Sequence, residues 1–92
     1  MKSVWKFPLA VTDAQTIEMP IGARLLTVQP QGDQVCLWAL VETTAMKERR
    51  YIAILGTGHE APSRGDLKYI GTFQLNKGAL VFHAFEIVNA LV

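Results

Sequence analysis

The stretch Leu55-Gly56-Thr57-Gly58-His59 holds the residue types and spacing with which this chain could do chemistry. An apolar run ends at Leu55 and breaks into two glycines that bracket a threonine and deliver one of only two histidines. Glycines admit positive φ and let backbone N–H groups converge on an anion. Thr57 adds a hydroxyl, and His59 adds a donor able to titrate near neutral pH. Together they are the parts of a phosphate- or carboxylate-binding bend. The same residues would also make a plain strand end, with His59 bonded to a carbonyl, and the segment lacks the Lys-Ser/Thr ending of a nucleotide-binding P-loop. Arg64, in the loop that follows, offers a planar fork that suits phosphate, or else a solvated surface charge.

Other candidates lie outside that bend. His83 falls mid-strand between Phe82 and Ala84, where an imidazole is either a core residue held by one hydrogen bond or the border of a site. Tyr69 is a second candidate border, and Trp5, near a chain end between Val4 and Lys6, could stack on a base or pack on a partner. If folding brought His59 and His83 together, the pair with Glu60 or Glu86 could bind a metal or do acid–base work, although no ligand spacing signals it. No Ser-His-acid elbow and no HExxH motif occurs, so neither a catalytic residue, a metal ligand nor a cofactor is assigned. The single cysteine, Cys36, reads as a buried strand residue.

Composition sets the frame for those residues. Ninety-two residues make one domain, 1–92, with room for one core and one site. Nine Lys/Arg against eight Asp/Glu leave a net charge of +1, too little to gather nucleic-acid backbones or an anionic membrane. The amino terminus lacks a signal-peptide core and no stretch is long enough to span a bilayer, which predicts a cytoplasmic protein. An apolar content of 50% against 18% charged residues is rich for a small monomer and predicts a homo-oligomer.

The elements that must position these residues are short. Proline and glycine divide the chain into runs with strand periodicity at about 3–9, 15–19, 24–29, 34–43, 51–55, 67–75 and 79–88. The expected fold is therefore all-β, a single antiparallel sandwich or barrel of about seven strands. The third and fourth runs read as a hairpin, and the fourth, apolar on both faces, reads as central. Residues 43–50 read as an exposed loop, Gly71 as a bulge or close approach, and the apolar end Asn89-Ala90-Leu91-Val92 as tucked into the sheet or a second subunit.

With these segments placed, the chain resembles a family of uncharacterised small proteins encoded mainly by tailed bacteriophages. The resemblance runs through Val4-Trp5-Lys6, Met19-Pro20-Ile21-Gly22-Ala23, Val28-Gln29, Leu37-Trp38-Ala39-Leu40-Val41, Gly56-Thr57-Gly58-His59, Tyr69-Ile70-Gly71-Thr72 and Val81-Phe82-His83-Ala84-Phe85-Glu86. It implies a viral accessory protein in a bacterial cytoplasm and supplies no catalytic residues. The leading expectation is a non-enzymatic protein that sequesters a small anionic, nucleotide-like ligand, such as a host-defence signal, through Gly56, Thr57, Gly58, His59 and Arg64. Tyr69, His83 and Trp5 would border the pocket. The alternatives are an inhibitor that docks on a host enzyme or defence complex and a metal-dependent hydrolase built on the histidines.

Overall fold

Alternating and β-branched runs dictate strands, and a computed structural model, which describes residues 1–90, contains seven of them and no helix. They are β1 (Lys2–Leu9), β2 (Gln15–Pro20), β3 (Arg24–Gln31), β4 (Gln34–Glu42), β5 (Lys47–Gly56), β6 (Asp66–Leu75) and β7 (Leu80–Val88). All pairings are antiparallel, in a three-stranded sheet ordered β1-β4-β3 and a four-stranded sheet ordered β2-β5-β7-β6. The fourth strand is central, as its two apolar faces require. No described helix is long and apolar enough to cross a membrane. Leu91 and Val92 lie outside the described residues, while Asn89 is tied back to the start of β6 by its Nδ2, which donates to Asp66 Oδ2 at 3.1 Å.

Two boundaries depart from the sequence reading. Residues 47–50 are not loop but the first part of β5, paired with β2 so that Glu18 faces Arg49 and Met19 faces Glu48. Charge hid this segment: Lys47 and Arg49 do face water, but Glu48 and Arg50 find partners in other elements. The third strand continues through Pro30 to Gln31, which an edge strand tolerates because proline's missing N–H costs no ladder bond on its open side. It then turns through Gly32, whose φ of +60° at the first central position fits a type II′ hairpin. The β6–β7 turn holds Asn76 and Lys77 at φ of 54° and 55°, the type I′ requirement.

The core lies between the two sheets and draws on every strand, with Leu9, Met19, Val28, Leu37, Ile52, Phe73 and Ala84 among its buried members. One end of that interior is polar. Arg50 shares a face with Ile52 and Ile54, and Glu86 shares a face with Ala84, so strand alternation places both charges inside. Glu86 is only 6% exposed. Arg50 donates from Nε and Nη2 to the two carboxylate oxygens of Glu86, and from Nη1 to the Ala23 carbonyl at 2.9 Å. Glu48, which accepts from the Gly22 N–H at 3.0 Å, adds a weaker ion pair at 3.6 Å. The hydrogen bond to Glu86 outweighs desolvation and raises the already high Arg50 pKa.

Two stability predictions follow from these geometries. Glu86→Ala leaves the partly buried Arg50 guanidinium with only the weaker Glu48 contact and the Ala23 carbonyl, and is expected to cost about 1.5–3 kcal/mol in urea unfolding, most of it recovered in the double variant Arg50→Met/Glu86→Leu. Lys77→Gly removes a side chain from left-handed backbone and is expected to raise stability by about 0.5 kcal/mol; a loss would show that the turn is not type I′.

Candidate functional site

Strand register assembles a polar chain on the outer face of the four-stranded sheet. Leu55 and Thr72 both pair with His83, so these three side chains share the face that points away from the core. Thr57, just past the end of β5, is brought alongside by its N–H, which donates to the Val81 carbonyl at 3.3 Å. His83 Nε2 lies 2.7 Å from Thr57 Oγ1, and His83 Nδ1 lies 3.0 Å from Thr72 Oγ1. Thr72 Oγ1 is in turn 2.7 Å from the Tyr69 hydroxyl.

Tyr69 and Thr72 are three residues apart, and simple alternation would set them on opposite faces. A bulge between Tyr69 and Gly71 inserts the extra residue that brings both to the outer face. The Tyr69 ring packs edge-on against Phe85 at 5.7 Å and remains 60% exposed. Four residues thus form one hydrogen-bonded line, Thr57–His83–Thr72–Tyr69, with an exposed hydroxyl at each end.

The bend itself is a β-turn. The His59 N–H donates to the Gly56 carbonyl at 3.0 Å, and Gly58 takes φ +87° at the third position, as a type II turn demands. The N–H groups of Thr57 and His59 are thereby engaged with backbone carbonyls instead of converging on an open anion site. The His59 ring lies against Gly56, where a methyl group would sit 3.0 Å from it. Gly56 falls on the inward side of β5, with Ile52 and Ile54, so His59 and His83 occupy opposite faces of the sheet.

Two other predicted residues lie apart from this line. Arg64 and Pro62 border a hollow of about 290 Å³ with Tyr51 and Ile87, a rung four residues along from the Leu55–His83 rung. The loop that carries them meets Ile87, which belongs to a second apolar cluster with Ala53 and Leu55. Trp5 belongs to the other sheet, where it faces Ala39, lies 6.5 Å from Phe7 and packs against the main core. Among the described residues, no group of three or more His, Cys, Asp or Glu is placed to hold a metal ion.

Residues 1–90 match a family described as a domain of unknown function, DUF7352. The chain belongs to this family. No curated protein and no solved structure matches it. Residue type singles out Thr57, Tyr69 and His83 as candidates but not Thr72, which the bulge sets on the same face as Tyr69; the adjacent Gly71 is the signal the sequence offers for it.

Docking of the loop hangs on Gly65, at φ +71°, where an added methyl would meet the Val88 carbonyl at 2.6 Å. Gly65→Ala is expected to cost about 1–3 kcal/mol and to loosen the loop over Ile87, seen as faster amide exchange at Ile87 and Val88. Wild-type stability and exchange in that variant would show that the loop does not pack as described.

Proposed function

We propose that this protein is a non-enzymatic binder of a small anionic, nucleotide-like ligand, held at the hydroxyl–imidazole line on the outer sheet face. The observation that carries the reading is that both ring nitrogens of His83 bond hydroxyls, which pass their polarity to the exposed Thr57 and Tyr69 ends. A neutral imidazole donates from one nitrogen only, so one end of the line presents a proton and the other a lone pair. A protonated imidazole donates from both. Thr57 and Tyr69 then both direct O–H groups outward, and the site offers two donors beside a positive charge, which is what an anion requires.

The exposed Tyr69 ring supplies a surface on which a base can stack. Retention with slow release, without bond breaking, is the mechanism. The resemblance to small phage proteins supports sequestration of a host-defence signal as the setting. Self-association belongs to the same proposal, supported by the exposed apolar side chains of Met1, Ile21 and Met46 around adjoining turns.

Titration of AMP into the protein at about pH 6, within the range where imidazoles titrate, tests the site. Thr57→Val and Tyr69→Phe are each expected to weaken binding about tenfold, the loss of one hydrogen bond of about 1.4 kcal/mol. His59→Ala, on the opposite face, is expected to leave it unchanged. Equal affinity in the wild type and both hydroxyl variants would reject the assignment. No AMP binding together with stoichiometric capture of a host protein would favour the inhibitor reading.

A further inference from the structure

A separate opening lies where the two sheets meet. The edge strands β3 and β6 run against each other, and each is bulged there, β3 between Leu25 and Thr27 and β6 between Tyr69 and Gly71. Bulges bend a strand and interrupt its pairing, so the two edges do not join into one continuous sheet. What remains between them is a cleft of about 310 Å³, at the small end of the volumes that ligand pockets occupy.

Its lining is unbalanced in charge. Arg50 and Glu86 both reach the cleft, and the two Glu86 oxygens are taken up by Arg50, which leaves that carboxylate little capacity to oppose another charge. Arg24 and Lys68 also line the cleft, are exposed, and make no ion pair among the described residues. Lys68 is the register partner of Glu86 and so stands on its face, directly beside the neutralised pair. Three cations therefore surround one committed carboxylate. Leu25, Ile70 and Leu26, the last 43% exposed, give the same cleft an apolar wall.

We infer that this corner cleft is a second binding site, for a small organic anion whose phosphate or carboxylate meets Arg24 and Lys68 while an apolar edge lies on Leu26 and Ile70. Guanidinium and ammonium groups keep their charge across neutral pH, so binding here does not depend on imidazole protonation. Of its lining, only Tyr69 also belongs to the hydroxyl–imidazole line. The Arg50–Glu86 pair holds the floor rigid and does not itself give up a donor to the ligand.

Isotope-labelled full-length His83→Gln protein at about pH 8 silences the imidazole site and isolates this one. AMP serves as the phosphate probe and benzoate as the carboxylate probe. Saturable shifts are expected at the Leu26 and Ile70 methyls with at least one probe, and the responding probe names the anion class. Arg24→Gln and Lys68→Gln, both at exposed positions, are each expected to weaken that binding at least about tenfold, the scale of one charge-assisted contact. Shifts confined to Thr57 and Thr72, affinity indifferent to both substitutions, or no response to either probe would overturn the inference.

Discussion

The pair of partly buried Arg50 and buried Glu86 is the constraint on which the rest of the molecule depends. Opposite charges withdrawn from water between packed sheets are tolerable while each satisfies the other, and a one-residue slip of β7 against β5 would turn Glu86 to the outer face and leave Arg50 with only the longer Glu48 contact. An apolar core alone would penalise that slip; separating the ion pair adds to the penalty. Because Nη1 of Arg50 also holds the Ala23 carbonyl, the same pair fastens the turn between β2 and β3 to the four-stranded sheet. Register on the inner face then determines register on the outer one. Once Glu86 is opposite Ile52, His83 must be opposite Leu55, on the face that water reaches.

A second device works on top of that frame. The β6 bulge costs the edge strand one rung of pairing and in return places Tyr69 and Thr72 on one side of the sheet. It also faces the bulge in β3, so one irregularity shapes both the outer-face line and the corner cleft. Edge strands ordinarily invite pairing with other chains, and a bulge on each is a recognised way of preventing it. Here the strands that meet at the corner are both protected in this manner.

Much of the architecture was legible in the sequence because the signals were local. Period-two alternation, prolines at strand ends and glycines in turns were sufficient for seven strands, the β3–β4 hairpin and the central β4. Residues 47–50 escaped because a charged run reads as solvated loop when the partner of Arg50, Glu86, is distant in sequence. The candidate site was legible only in part. Residue type alone identified Thr57, Tyr69 and His83, yet their connection through Thr72 requires a bulge, and the separation of His59 from His83 requires register. Trp5 looked available because it is near a chain end, but sheet pairing turns it onto the core. Arg24 and Lys68 gave no signal, since isolated surface cations gain meaning only from the opening they border.

Proton linkage tests the central claim most directly. If an anion selects the state in which His83 donates from both nitrogens, binding to the neutral form must take up a proton. Sulfate is the clean probe because it does not itself titrate near neutral pH, and calorimetry in buffers of different ionisation enthalpy counts the protons. The account predicts net proton uptake on sulfate binding that disappears in His83→Gln. Sulfate binding with no proton uptake, or the same uptake without the imidazole, would contradict it.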